Sequence, residues 1–291
     1  MAFNFVGAFI YPPMLAASTI HGAECNCKAC LLERLDYPRP SEIGRKDLRH
    51  PLYRLRIMIA NTTMLKDEFY IPNKFNPECI EDTIQSGSCT PQDLFPERTF
   101  RYEGVNGRDK CNNRFVLERP RISEPRVPIR MQLVYTDGAC SNNGKPNASS
   151  AAGIVFSSQG CDQYSSVIWA PMKNQHTSNR AELYAVCDAL RKTVQHLWAN
   201  CDALVIATDS TYVVNGATRW IPTWIENGWR TASDTKVSNQ DLWEDLLARV
   251  GILAIDGCQT MLWHIPRELN TVADRLAKRG CEKSRNPQPW W

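Results

Sequence analysis

Four acidic residues stand in segments whose patterns could bring them together. Asp137 ends the run LVYTD and is followed by Gly138, and Asp209 ends the run ALVIATD. Both runs are aliphatic or aromatic and stop at an acid, the pattern of buried strands. Two such strands as neighbours carry two carboxylates to one end of a sheet. Glu182, in TSNRAELYAV, and Asp274, in NTVADRLAK, lie on segments that read as helices, so each can be presented to that sheet from a packed helix. Clustered carboxylates repel one another, and each is costly to bury unpaired. Hard divalent cations resolve both problems, and Mg²⁺ is the obvious candidate for an all-oxygen site.

The elements that must position these acids follow from periodicity. Strands are predicted at 133–136, 153–156 and 166–169 as an antiparallel meander. A long helix follows from Asn179 to about Trp198, with Leu183, Val186, Leu190, Val194 and Leu197 at helical spacing and Thr177 or Ser178 as its N-cap. Next come a strand at 202–208, a helix from Ser210, a stretch with Trp220, Trp224 and Trp229, a helix at 240–250, a strand at 261–265 and a last helix from about Asn270. The resulting order is β-β-β-α-β-α-α-β-α.

The four acids with their surroundings, YTDGACSNNG, TSNRAELYA, ATDSTYVVNG and NTVADRLAK, resemble the catalytic core of type 1 ribonuclease H from Gln132 to roughly Cys281. That resemblance implies an α/β ribonuclease H-like fold, with a mixed five-stranded sheet flanked by helices. It also implies cleavage of the RNA strand of RNA–DNA hybrids with two Mg²⁺ ions, or Mn²⁺ in their place, giving 5′-phosphate ends. Asp137 then bridges the two ions, Asp274 completes the one on the water side, and Glu182 and Asp209 hold the one on the leaving-group side. The same resemblance places Asn143, Ser178 and Asn179 near the 2′-hydroxyls that separate RNA from DNA, although Ser178 stands where Asn is common. It places Thr177 and Asn239 on a phosphate of the DNA strand, and Trp220 and Trp224 against its sugars. Trp243 reads instead as core. The stretch TWIENGWRTASDTKVSNQDLW is similar to the family's basic protrusion but less basic, so weaker phosphate attraction is expected.

A histidine on a mobile loop assists many members of the family. His264 has the right spacing to Asp274, yet MLWHIP is similar to the last strand of the family, which puts His264 on that strand and shortens the loop. The ending P-R-E-L-N-T-V-A-D is similar to members without the loop histidine, and Arg267 becomes the candidate for an auxiliary role by charge.

The remaining sequence bounds the setting. A chain of 291 residues with net charge +3 permits nucleic-acid binding without arguing for it. No apolar run is long enough to span a bilayer, so no membrane association is expected. The apolar N-terminus lacks a basic n-region, is interrupted by Pro12-Pro13, and has no arginine in its first 30 residues, so the cytoplasm or nucleus is expected. Twelve of the 18 prolines and none of the nine tryptophans fall within residues 1–130, and 119–130 alternate arginine with proline like a linker. The expected division is a Pro/Cys-rich region of unknown function at 1–130, a catalytic domain at 131–284 and a tail at 285–291. Strands are candidates at 53–60 and 68–71. Most of the 12 cysteines read as reduced, small apolar residues. His21, Cys25, Cys27 and Cys30 are four potential Zn²⁺ ligands, although their spacing is tighter than a zinc finger's. The protein is expected to act as a monomer. Two rivals differ in class: a weakly catalytic hybrid-binding module, against which the four intact acids count, and a retroelement-derived domain, against which the lack of an upstream YxDD counts.

Overall fold

The computed structural model describes residues 63–65, 69–77, 90–103, 109–119, 129–143, 145–158, 163–168, 176–196, 201–255 and 257–285. The possible Zn²⁺ ligands His21, Cys25, Cys27 and Cys30, the strand expected at 53–60 and most of the C-terminal tail lie outside them.

The centre of the structure is a sheet laid down by β6 (Ile129–Ser141), β7 (Ser149–Val155), β8 (Gln163–Ile168), β9 (Ala203–Thr208) and β10 (Gln259–His264). The meander β6–β7–β8 is antiparallel, while β9 runs parallel to both β6 and β10. This is the mixed five-stranded sheet expected from the sequence. The strand β9 is buried along its whole length, with alternate residues serving different layers. Leu204 and Ile206 face one core, together with Val134, Leu183, Leu190, Trp243 and Leu246. Ala203, Val205 and Ala207 face another, together with Leu133, Tyr135, Met261, Trp263 and Ala273.

The first core is covered by α2 (Ser178–His196) and α5 (Gln240–Ile255), counting α1 as the short helix Pro91–Leu94. Thr177 caps α2, its Oγ1 accepting from the Arg180 amide at 3.2 Å. Between α2 and α5 lie α3 (Thr211–Asn215), a π-helical turn Gly216–Trp220 and α4 (Ile221–Glu226). Ser210 caps α3, accepting from the Val213 amide at 3.4 Å. Trp243 is fully buried, which agrees with the core role read from the sequence. The second core is covered in part by α6 (Thr271–Arg285).

The division expected near Arg130 needs correction. Three further strands, β3 (Asn73–Lys74), β4 (Glu97–Glu103) and β5 (Asp109–Arg119), join the same sheet and bring it to eight. The long strand β6 makes this possible. Its residues 131–135 pair with β9 on one edge. On the other edge, 129–133 pair with β5 and 135–141 with β7. Phe75, Leu94, Phe95, Phe115 and Leu117 then close the second core over Met131, Leu133 and Trp263. The rings of Phe75 and Trp263 are 4.8 Å apart, those of Phe75 and Phe95 5.8 Å, and those of Phe95 and Trp263 6.3 Å. Without this cover the second face of the sheet would expose large apolar side chains to water, so residues 73–119 form part of the domain's own core.

The hairpin of β1 (Thr63–Leu65) and β2 (Phe69–Ile71) leads into β3, and Ile71 reaches the first core while Phe75 reaches the second. Of the cysteines whose side chains are described, Cys187, Cys201, Cys258 and Cys281 are buried and Cys140 is half-buried, and the Sγ atoms of Cys201 and Cys258 lie 3.4 Å apart. No helix among the described residues is long and apolar enough to cross a membrane.

Candidate active site

The register of the parallel pair aligns the first two acids. Its last partners are Tyr135 and Ala207, so Asp137 and Asp209 each lie two residues further along neighbouring strand paths. Adjacent strands are about 4.8 Å apart, which sets the spacing of the two carboxylates. Glycine brings the third acid in. A Cβ at Gly138 would lie 2.1 Å from the Glu182 nitrogen and 2.2 Å from the Ala181 carbonyl carbon, so α2 rests on the bare backbone of β6. The Gly138 amide donates to Glu182 Oε2 at 3.0 Å. One oxygen from each of Asp137, Glu182 and Asp209 falls within 4.8 Å of the others.

The fourth acid arrives from the opposite face. Asp137 is in register with Gly153 of β7, where a Cβ would lie 2.1 Å from the Ala273 carbonyl oxygen. That contact presses the first turn of α6 onto the sheet directly beside Asp137. Asp274 is in this turn but outside the group of three. Its Oδ1 pairs with Arg267 Nη2 at 3.2 Å and its Oδ2 with Lys278 Nζ at 2.7 Å.

The electrostatics match that crowding. Burial, then the charges of Asp209 and Asp274 and a hydrogen bond shared with Asp209, push Asp137 up to about 7. Burial, then repulsion from Asp137 and Asp209, pushes Glu182 up to about 9, opposed by the Gly138 amide. Carboxylates this reluctant to ionise together are an oxygen-donor set in want of a cation, and a divalent ion is the group that fits them.

Sequence reading assigned no role to Asn270, which proves central. It is 1% exposed, and its Nδ2 donates to Thr136 O at 2.9 Å and to Asp209 Oδ1 at 2.8 Å. One amide thus ties the strand carrying Asp137 to the carboxylate of Asp209. Its place one turn before Asp274 was the available signal. Arg180, also without an assigned role, bridges α2 to α5: it pairs with Asp241 at 2.5 Å and donates to Asn239 Oδ1 at 3.3 Å. Thr177 and Asn239, expected on one phosphate, are therefore both bonded to Arg180, one through its backbone and one through its guanidinium.

Asn143 Nδ2 donates to Ser178 Oγ at 3.3 Å, which leaves the Ser178 hydroxyl hydrogen free to donate elsewhere, and Asn179 is exposed beside it. Trp220 is 38% exposed, the one large apolar side chain so exposed among the described residues. Its ring is 5.7 Å from that of Trp224, which packs in turn on Trp243 at 5.6 Å. Trp220 is thus an open platform and Trp224 its half-buried support. His264 is the exposed last residue of β10, in register with Thr208, and so belongs to a strand. Arg267 lies in the short 3₁₀ turn Arg267–Leu269 that joins β10 to α6.

A family model for RNase H matches residues 130–282. The chain belongs to the RNase H family. It is 33% identical over 156 residues to Ribonuclease H1 of Mus musculus, covering 52% of this chain and 50% of that protein. It is 36% identical over 157 residues to Ribonuclease H of Treponema pallidum, covering 52% of this chain and 90% of that protein. Among solved structures it is similar to the PFV RNase H domain, with 23% identity and a TM-score of 0.41 over 52% of this chain and 93% of that one. The chain spans about half the length of the mammalian relatives it matches. With the family match, Asp137, Glu182 and Asp209 are read as a divalent-metal site in an RNase H domain.

Proposed function

We propose that this protein is an endoribonuclease that hydrolyses the RNA strand of RNA–DNA hybrids, using Mg²⁺, with Mn²⁺ able to replace it. The convergence of Asp137, Glu182 and Asp209 within 4.8 Å in an RNase H family domain is the observation that carries this proposal. Asp137, Glu182, Asp209 and Asp274 would hold two cations. When bound, these supply an activated water and neutralise charge on the phosphate and the leaving oxygen.

The chain's own residues supply position. The Gly138 amide fixes Glu182, and Asn270 fixes Asp209 against the backbone of Thr136. Asn143, Ser178 and Asn179 present hydrogen-bonding groups to the RNA 2′-hydroxyls. Thr177 and Asn239 contact a phosphate of the DNA strand, with Arg180 adding its charge to that corner. Trp220, supported by Trp224, stacks against the DNA sugars, and a second strand bearing 2′-hydroxyls fits that surface poorly.

The test is cleavage of end-labelled duplexes of one sequence with Mg²⁺ present. The expected result is RNA-strand fragments with 5′-phosphate and 3′-hydroxyl ends from the hybrid, with the DNA strand, double-stranded DNA and double-stranded RNA left intact. Equal cutting of hybrid and double-stranded DNA would overturn the proposal.

A further inference from the structure

The fourth acid is held differently from the other three. Asp137, Glu182 and Asp209 face one another, whereas both oxygens of Asp274 already have cationic partners, Arg267 and Lys278. The partners come from opposite sides in sequence. Arg267 precedes α6, and Lys278 lies one turn further along it, so the carboxylate is gripped from both ends. Both cations reach out of solvent: the side chain of Arg267 is 69% exposed and that of Lys278 60%, against 20% for Asp274. Ion pairs this exposed are weak and exchange their partners readily. A cation entering beside Asp274 must displace or approach two positive groups. A phosphate entering there meets the same two groups as ready donors.

We propose that Arg267 and Lys278 form a releasable latch that weakens cation binding at Asp274 in the free protein and passes to the substrate phosphate when a nucleic acid is bound. This rests on the divalent-cation reading of the site. The group of three acids loads first. The second cation loads weakly until a phosphate supplies oxygen ligands and draws the two side chains away from Asp274. Lys278 thereby acquires a positioning role that its place on an exposed helix face does not suggest.

The test is Mn²⁺ binding to the full chain, followed by electron paramagnetic resonance, for the natural protein, Arg267→Gln, Lys278→Gln and the double variant. Both side chains are exposed, so the variants fold. The expected result is one stronger and one weaker Mn²⁺ site. The weaker site should tighten by about five-fold in the double variant, near 1 kcal/mol at 1.4 kcal/mol per tenfold, while the stronger site changes by less than half as much. Added hybrid oligonucleotide should tighten the weaker site in the natural protein and do so less in the double variant. Two sites with a second affinity unchanged or weakened in the double variant would overturn the latch. Failure of any form to bind Mn²⁺ would overturn the divalent-cation reading itself, and so separates the two.

Discussion

Replacing Phe95 by alanine should destabilise the catalytic domain, although Phe95 lies 42 residues before Asp137. Its ring is fully buried between Phe75 and Trp263, in the core that also holds Leu133, Tyr135 and Val205. Deleting a buried phenylalanine costs about 3–5 kcal/mol through lost burial and the cavity left behind. Two ring contacts within pairing distance put this site in the upper part of that range. A domain has only about 5–15 kcal/mol to lose. With a urea slope of about 2 kcal/mol/M, the midpoint should fall by about 2 M. Arg98→Ala is the control, since it breaks a half-exposed ion pair with Glu118 on the same hairpin and should cost about 0.5 kcal/mol or less. Urea unfolding followed by tryptophan fluorescence reads the domain directly, because all nine tryptophans lie after residue 130. A midpoint for Phe95→Ala within about 0.3 M of the natural protein, on the same slope, would show that residues before 130 are an appended unit and refute the shared core.

Asp137 and Glu182 are raised to about 7 and about 9 in the folded protein, so without a cation it binds more protons than the unfolded chain above the ordinary carboxylate range; stability should fall as pH rises toward about 9. Cations need the ionised forms, so the rise in melting temperature given by Mg²⁺ should grow across that range and flatten in Glu182→Gln; a pH-independent rise contradicts this. Asn270→Ala should lower hybrid cleavage by about 10–100-fold at fixed Mg²⁺ by freeing Asp209 and Thr136, and full activity would remove its positioning role. Arg267→Ala should slow turnover at saturating Mg²⁺ more than His264→Ala, because Arg267 is beside Asp274 whereas His264 ends a strand; a tenfold loss, about 1.4 kcal/mol, in His264→Ala with Arg267→Ala silent reverses that assignment.

The acids were legible because each closes a strong local pattern. LVYTD and ALVIATD are unbroken apolar runs, and the helices bearing Glu182 and Asp274 keep their period. The five central strands and the helices around them followed from the same signals. The strand β5 was not legible, since DKCNNRFVLER has only three adjacent large apolar residues among polar ones. It is a strand because β6 offers a free edge, and such pairing is long-range. Phe75 and Phe95 read as isolated aromatics among prolines, and only the folded sheet shows that Trp263 waits for them. Asn270 resembles an ordinary residue at a helix start, while its partner Thr136 is 134 residues away. Lys278 was likewise one more exposed base on an amphipathic helix until its contact with Asp274 was seen.

Asp137 stands at the meeting point of β6, α2 and α6, and the proposed RNA-cutting metal site depends on it. Asp137→Asn tests that dependence most directly, because the amide keeps the shape of the side chain and removes the charge that a cation requires. Cleavage of a labelled RNA–DNA hybrid with Mg²⁺ should be lost in this variant, while its far-ultraviolet circular dichroism and its binding of the hybrid stay close to those of the natural protein. Cleavage by Asp137→Asn at a near-normal rate would contradict the claim.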